Sequence, residues 1–179
     1  VSAATSGGKS LAFYLPVLSW IADNVRAGDN WVKALALYPR NELLKDQLSS
    51  AYATCRSLDK RQHELGRRPV TVGAYFGSVP VNSSDFTARN SYTTKSWTRS
   101  KVGFTCPFIR CPKCDGHMRW LHQDIQDGIE VLNCQSTACG YRTPNDTIRL
   151  TRESLVAHPP DILLTTTEMM NRNMANAGY

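Results

Sequence analysis

Apolar residues recur at spacings of three and four in two long segments, and this periodicity predicts two amphipathic helices. The first covers residues 9–25, includes Pro16, which should bend it, and ends at the turn 27–29. The second covers residues 42–64, with Asn41 as its expected N-cap. Its predicted inner face comprises Leu43, Leu44, Gln47, Leu48, Ala51 and Leu58.

Short apolar runs bounded by turn residues predict strands at 32–38, 70–76 and 161–166, and a further helix should begin at Glu168. Strands that alternate with helices are typical of an α/β fold with a parallel sheet. Residues 77–144 interrupt this pattern because they are rich in Ser, Thr, Asn, Cys and basic side chains. We therefore expect an α/β domain formed by residues 1–80 and 151–179, with an insertion at 81–150.

Length and composition narrow the class of protein. The chain has 179 residues, of which 41% are hydrophobic and 20% charged, so a wholly disordered chain is excluded. The longest nearly apolar stretch, residues 11–22, is too short to span a bilayer, and no secretory signal is recognised. We expect a cytoplasmic protein with one core-bearing domain and no membrane partner.

The formal charge of +6 is concentrated in one segment. Residues 89–119 contain seven basic side chains and one acid, whereas the rest of the chain carries equal numbers of both signs. Such a segment predicts contact with a polyanion such as DNA or RNA. The alternative is a solvated basic loop.

Five of the six cysteines lie between positions 106 and 139, which favours reduced thiols and a metal site over disulfides. Cys111 and Cys114 form a C-x2-C pair followed by Gly116, and Cys134 and Cys139 form a looser second pair. Four thiolates at this spacing predict a structural Zn²⁺ site in a ribbon of about residues 104–143. Lower-ranked ligands are Cys106, His117 and His122, and Cys55 is expected in the core.

Two further expectations concern this ribbon. Residues 125–132 suit a hairpin with Asp127 and Gly128 at its turn. Aromatic side chains among the basic residues could form a surface against a partner domain or against nucleic acid, where they would stack on unpaired bases. They are Trp97, Phe104, Phe108 and Trp120. For Phe108 and Trp120, a place in the ribbon's own core is an equal alternative.

The first ten residues contain the pattern A-x4-G-K-S, in which small residues let backbone amides converge on phosphate oxygens before a helix N-terminus. Lys9 would reach the β- and γ-phosphates of ATP, and the Ser10 hydroxyl would bind Mg²⁺. The predicted nucleotide-binding residues are Thr5, Ser6, Gly7, Gly8, Lys9 and Ser10. The alternative is a Gly-Lys-Ser turn that binds no nucleotide.

Residues 3–18 (AATSGGKSLAFYLPVL) resemble motif I and its helix in superfamily 2 helicases of the DEAD/DEAH-box type, with Ser6 where that family has its first Gly. Residues 38–47 (YPRNELLKDQ) resemble motif Ia, and residues 160–170 (PDILLTTTEMM) resemble motif Ib. Residues 70–80 are similar to the "VGxYxGDTP" strand of DEAH-like DNA helicases, without its Asp. The resemblance covers roughly residues 1–80 and 150–179.

This resemblance implies a RecA-like fold and ATP-driven movement along DNA or RNA. It also implies a partner, a second RecA-like domain that closes on bound ATP. The residues it assigns to strand phosphates are Arg40, Asn41, Thr165 and Thr166. The insertion and the TTTEMM segment resemble most the large bacterial helicases of phage-defence systems.

The sequence contains no D-E-x-H or D-E-x-D box, so we interpret it as an N-terminal motor fragment that binds Mg·ATP but hydrolyses it poorly. A second hypothesis is a zinc-ribbon nucleic-acid-binding module that uses its α/β part as a scaffold and binds DNA indifferently to ATP. A third is a P-loop NTPase of another kind, such as a kinase, against which the basic insertion and the Ia and Ib matches argue.

Overall fold

The structure is a computed structural model that describes residues 9–87 and 92–176. The helices among these residues are α1 (Lys9–Asn24), α2 (Asn41–Ser57), α3 (Asp59–Glu64), α4 (His122–Gln126), α5 (Arg152–Ala157) and α6 (Thr167–Asn176), with a 3₁₀ turn at Ser83–Phe86. The strands are β1 (Ala34–Tyr38), β2 (Val72–Tyr75), β3 (Thr98–Arg99), β4 (Gly103–Arg110), β5 (His117–Leu121), β6 (Asn133–Cys134), β7 (Ile148–Arg149) and β8 (Ile162–Thr166).

A four-stranded parallel sheet with the order β1-β8-β2-β7 forms one half of the molecule. Strand β8 lies between β1 and β2, and its register pairs Tyr38 with Thr166 on one side and Tyr75 with Thr165 on the other. The prediction of an α/β fold with a parallel sheet is confirmed. β7, from the end of the predicted insertion, is the strand beside β2.

The second sheet is antiparallel, with the order β3-β4-β5-β6, and a bulge in β4 lies between Thr105 and Arg110. The predicted hairpin at residues 125–132 is wrong. Strands β5 and β6 are instead joined through α4, and of the two predicted turn residues Gly128 has a positive φ, of 68°, whereas Asp127 has a φ of −79°. The Ile129 amide bonds back to the Asp124 carbonyl at 2.8 Å, so Asp127 and Gly128 end a helix.

The predicted helix at 42–64 is two helices. Leu58 (φ −89°, ψ −11°) separates α2 from α3. Its amide still donates to the Cys55 carbonyl at 3.1 Å, and its carbonyl accepts from the Gln62 amide at 2.9 Å. Asn41 is the first helical residue rather than the N-cap, because the extended residue before the helix is Arg40. Leu43 is 44% exposed and does not belong to the inner face, whereas Cys55 is fully buried as expected.

Helix α1 confirms the first predicted helix, contains Pro16, and packs with Leu18 and Ile21 in the core. Its C-terminal part is fixed by Gln62 and Arg67, whose side chains both donate to the Ala22 carbonyl at 2.9 Å. Among the described residues, no helix is long and apolar enough to cross a membrane.

One continuous hydrophobic core connects the two sheets. Phe76, which follows β2, makes an edge-on contact with Phe108 of β4, with ring centroids 5.5 Å apart. Phe86 contacts Trp97, Phe104 and Trp120 at 4.6–5.4 Å. The expected base-stacking surface is therefore wrong. Its four rings are at most 8% exposed and belong to the core, which for Phe108 and Trp120 was the alternative expectation; they are Trp97, Phe104, Phe108 and Trp120.

Candidate metal centre and carboxyl edge of the parallel sheet

Cys111, Cys114, Cys134 and Cys139 lie together, with all four sulfur atoms within 4.8 Å of one another. The Cys111 and Cys139 sulfurs are 3.6 Å apart, and the Cys114 and Cys134 sulfurs 3.5 Å. An ion held tetrahedrally at about 2.3 Å from each sulfur requires sulfur separations of about 3.8 Å. The cluster could therefore hold a metal ion with only a small adjustment.

The first pair is positioned by a tight turn that follows β4. The Cys111 amide donates to the Gly116 carbonyl at 2.9 Å, and the Asp115 amide donates to the Cys111 carbonyl at 2.8 Å. Asp115 has a φ of 58°. A Cβ at Gly116 would lie 3.2 Å from the Cys114 sulfur, so a side chain there would crowd the ligand. Both thiols of the pair thus point to one side because the turn is short and Gly116 has no side chain.

The second pair spans the segment after β6. The Cys134 amide donates to the Tyr141 carbonyl at 2.7 Å, and the Cys139 amide donates to the Ser136 carbonyl at 3.1 Å. Gly140 has a φ of 59°, which turns the chain back after Cys139. The four intervening residues therefore fold as a compact turn despite a spacing looser than C-x2-C.

Local hydrogen bonds bias these thiols differently. The Gly116 amide, hydrogen-bonded to the Cys114 sulfur, lowers the pKa of that exposed thiol, and contacts with the other cysteines act in the same direction. Burial raises the pKa of Cys111 and of Cys134. A metal cation would favour the thiolate of all four. Four protein sulfurs leave no open coordination position, which is typical of a structural site.

The lower-ranked ligands lie elsewhere. Cys106 is 2% exposed on the core face of β4, and burial raises the pKa of its thiol to about 12. His117 lies against Arg110, with Nη1 2.9 Å and 3.0 Å from its ring nitrogens. His122 Nε2 lies 3.3 Å from the Ser100 carbonyl oxygen. Within the described ranges, no group of potential metal ligands includes any of these three.

The residues assigned to strand phosphates meet at the carboxyl edge of the parallel sheet. Strands β1 and β8 end side by side, with Tyr38 paired to Thr166. Arg40, which is exposed, and Asn41, which is half-buried, follow β1 at the start of α2. Helix α6 begins directly after β8, so two helix N-termini open at neighbouring positions of one edge.

The two threonines at this edge are less accessible than the resemblance implies. Thr165 and Thr166 are 4% and 3% exposed. The Thr165 hydroxyl donates to the Tyr75 carbonyl at 2.6 Å, and the Thr166 hydroxyl accepts from the Met169 amide at 3.3 Å. Thr166 therefore caps α6.

The predicted nucleotide-binding loop falls outside the described residues at Thr5, Ser6, Gly7 and Gly8, as do the side chains of Lys9 and Ser10. The neighbouring part of α1 is described. The Tyr14 hydroxyl hydrogen-bonds to the hydroxyl of Tyr38, the last residue of β1. The N-terminal half of α1 therefore lies close to the carboxyl edge of the sheet.

Neither protein-family models nor curated proteins match this chain. Its functional assignment therefore depends on the cysteine cluster and on the carboxyl edge of the parallel sheet. Open α/β sheets bind their ligands beyond the carboxyl ends of the strands, which is where the two segments assigned to strand phosphates lie side by side.

Proposed function

We propose that this chain is the motor part of an ATP-dependent nucleic-acid helicase or translocase, with a RecA-like domain that carries an inserted zinc ribbon. The observation that supports it most is the meeting of three segments at one sheet edge. Tyr38 hydrogen-bonds to Tyr14 in α1 and pairs in register with Thr166 of β8. Helix α1, which follows motif I, thus lies next to the segments that contain motifs Ia and Ib.

The nucleotide would bind where α1 begins. A helix N-terminus presents unpaired backbone amides and partial positive charge, both of which favour phosphate. Lys9 is the first residue of α1, and Tyr14 lies little more than one turn further along. Lys9 would neutralise phosphate charge, Ser10 would bind Mg²⁺, and the amides of the preceding Thr5–Gly8 loop would complete the cradle.

The nucleic-acid strand would lie along the neighbouring part of the same edge. Arg40 is exposed immediately before α2, and a guanidinium can bind phosphate through two hydrogen bonds. The amides at the start of α2, which no side chain in the described part of the chain caps, add donors, and Thr166 adds a hydroxyl. Such contacts hold the backbone of a strand and carry no base sequence information.

The metal at the cysteine cluster would be Zn²⁺, because four thiolates in a closed tetrahedral set suit that ion. Bound zinc would supply cross-linking rather than catalysis. The cluster adjoins α2, since the Arg110 amide, one residue before Cys111, donates to the Ser49 hydroxyl at 2.9 Å. The zinc ribbon would therefore brace the helix that follows Arg40.

The test compares Lys9→Ala with Lys60→Ala, a control that removes an exposed lysine from α3. We expect the wild-type chain and Lys60→Ala to bind a fluorescent ATP analogue in the presence of Mg²⁺. Lys9→Ala should bind it at least about tenfold more weakly, because a phosphate-paired charge is lost. Metal content should be equal in all three proteins.

The same variants separate the motor from a zinc-ribbon module that uses its α/β part as a scaffold. The complete cysteine cluster favours that second function. For a motor, a non-hydrolysable ATP analogue should change the affinity for an oligonucleotide in wild type and not in Lys9→Ala. If the analogue leaves the affinity for DNA or RNA unchanged in every variant, the result would favour the zinc-ribbon binding module over the motor.

A further inference from the structure

The two faces of the antiparallel sheet differ in chemistry. Its inner face contributes Phe104 and Trp120 to the core. On the outer face, the strand register aligns four polar side chains in one row across the sheet. They are Thr98 of β3, Thr105 of β4, Arg119 of β5 and Asn133 of β6. We call these four residues, together with Arg110 and His117, the outer face.

The outer face includes two arginines, Arg110 and Arg119. Arg110 of β4 pairs across the sheet with His117 of β5, and it is exposed. Arg119 is half-buried, and its enclosed Nε has no hydrogen-bond acceptor in the part of the chain that the structure describes. Within residues 9–87 and 92–176, neither arginine forms an ion pair. By contrast, the nearby Arg142 makes two hydrogen bonds to the Asp124 carboxylate.

Other groups extend the positive charge and supply donors. Lys101 is exposed in the turn before β4, and Lys113 is exposed in the turn after it. The Gln135 side chain donates to the Thr105 hydroxyl at 2.7 Å, which leaves the hydroxyl proton of Thr105 available to an acceptor. Arginine, lysine and threonine side chains commonly contact phosphate oxygens.

We propose that the outer face binds the phosphate backbone of a nucleic-acid strand and does not stack on its bases. This inference rests on the proposed function for its partner. The rings that the sequence offered for stacking, including Trp97, Phe104 and Trp120, are buried on the opposite side of the sheet. The one aromatic ring on the outer face, His117, is held against Arg110. Binding here should therefore depend on salt and ignore base identity.

A nucleic acid suits this surface better than an acidic protein does. Protein interfaces centre on buried apolar anchors, whereas the outer face consists of hydroxyl, amide, imidazole and guanidinium groups. It is also connected to the candidate strand-binding edge, because the Arg110 amide bonds to Ser49 of α2, the helix that begins after Arg40. A nucleic-acid strand bound both at the outer face and at the carboxyl edge of the parallel sheet would run along α2.

The experiment measures binding of a labelled single-stranded oligonucleotide by fluorescence anisotropy over a range of salt concentrations. The variant Arg110→Ala/Arg119→Ala is compared with Lys60→Ala/Arg61→Ala, which removes the same charge from α3. Each lost phosphate contact lowers the salt slope by about 0.7, so the outer-face variant should lose about 1.4 and the control much less. Arg110→Lys/Arg119→Lys should retain the slope, which excludes a folding defect as the cause.

A second arm uses an abasic strand of the same length. Equal affinity for the abasic and the normal strand, within about twofold, is expected if only phosphates are read. Affinity that falls more than about tenfold without bases would overturn the proposal, as would an unchanged salt slope in Arg110→Ala/Arg119→Ala. Competition by polyglutamate at the same charge concentration would assign the face to an acidic protein instead.

The failure of the outer-face proposal can be distinguished from the failure of the proposed motor function. If the outer-face variant binds like wild type while Lys9→Ala still loses ATP-dependent binding, this inference fails and the motor stands. If the outer-face variant loses its salt slope and Lys9→Ala changes nothing, the face stands and the motor fails.

Discussion

The ammonium of Lys33 lies 2.9 Å from the carboxylate of Asp161, and each side chain is only 1% exposed. Arg68 donates two hydrogen bonds to the same carboxylate, at 2.6 and 2.8 Å. The amide and the hydroxyl of Thr71 each donate one more. The Asp161 carbonyl also accepts from the Lys33 and Ala34 amides. One aspartate thus joins the amino ends of β1, β2 and β8.

We predict that Asp161→Asn lowers the free energy of unfolding by about 3–5 kcal/mol at pH 7. The substitution removes the counter-charge that the buried Lys33 ammonium shares with the Arg68 guanidinium, and Lys33 keeps only the partly exposed Asp29 at 3.2 Å. Urea denaturation measures the change. Asp23→Asn is the matched control, because Asp23 is 75% exposed and its pair with Arg67 should contribute at most about 1 kcal/mol. Equal effects of the two substitutions would contradict a structural role for the network.

The same carboxylate predicts an acid dependence. Burial works to raise the pKa of Asp161, but hydrogen bonds from Arg68, the Thr71 amide and Lys33 hold it below the ordinary value. The stabilisation is therefore complete above about pH 4, the pKa of an unfolded aspartate, and is lost as the pH falls through the lower folded value. The stability difference between wild type and Asp161→Asn should shrink below about pH 4, as unfolding curves at several pH values would show.

Local patterns predicted much of this fold and none of the Asp161 network. Helix α1, strands β1, β2 and β8 and the cysteine cluster follow from periodicity and spacing within a few residues. Lys33 and Asp161 are 128 positions apart, so no local pattern relates them. The break at Leu58 also escaped prediction, because the residues around it keep a helical composition.

The sequence already contained the pattern that predicts the aromatic core. Phe104, Cys106 and Phe108 alternate along β4, and all three are buried, as are Met118 and Trp120 in β5. Alternation of this kind predicts one buried face of a strand. The basic residues near these rings suggested a nucleic-acid surface. Arg110 and Arg119 do lie on the outer face, opposite the buried rings, whereas Arg99 pairs in register with Phe104 and its guanidinium lies 6.0 Å from that ring.

Trp120→Ala should therefore act on stability rather than on stacking. The Trp120 side chain is fully buried, and its Nε1 donates to the Ile129 carbonyl at 2.8 Å. Removing it should lower the free energy of unfolding by about 3–5 kcal/mol. Trp20→Ala, at a ring that is 51% exposed, should change stability by about 0.5 kcal/mol or less. Chemical denaturation of both variants is the measurement, and a small effect at Trp120 would argue against the shared core.

Gly103 tests the close contact between β4 and β5. A Cβ at this position would lie 2.1 Å from the Trp120 carbonyl oxygen and 2.8 Å from the Leu121 Cα, both of which are backbone atoms. Gly103→Ala should therefore separate the two strands and lower stability by about 3 kcal/mol. At Gly77 an added Cβ meets no atom of the described residues within 4 Å, so Gly77→Ala should be nearly neutral. Thermal unfolding of the two variants is the measurement, and similar melting temperatures would contradict the close contact between β4 and β5.

The cysteine cluster should bind one metal ion per chain, and Cys114→Ser should abolish that binding. Cys114 is the exposed member, so its replacement removes a ligand with little effect on packing. Cys106→Ala is the control, because this buried thiol lies outside the cluster and should leave metal content unchanged. Elemental analysis gives the stoichiometry, and the charge-transfer absorption of the Co²⁺-substituted protein reports thiolate ligation. Retention of one tightly bound ion by Cys114→Ser would contradict a four-thiolate site.

Metal removal should loosen the cluster without unfolding the chain. The turns at residues 111–116 and 134–141 hold the ligands, whereas the sheet behind them is supported by rings such as Phe86 and Trp120. Zinc at a hundred times its dissociation constant should add about 2.7 kcal/mol to the free energy of unfolding, because only the folded chain offers the assembled site. Hydrogen exchange with and without a chelator should show faster exchange in the two turns and little change in β8. Global loss of protection would mean that the metal, and not the aromatic core, holds the two sheets together.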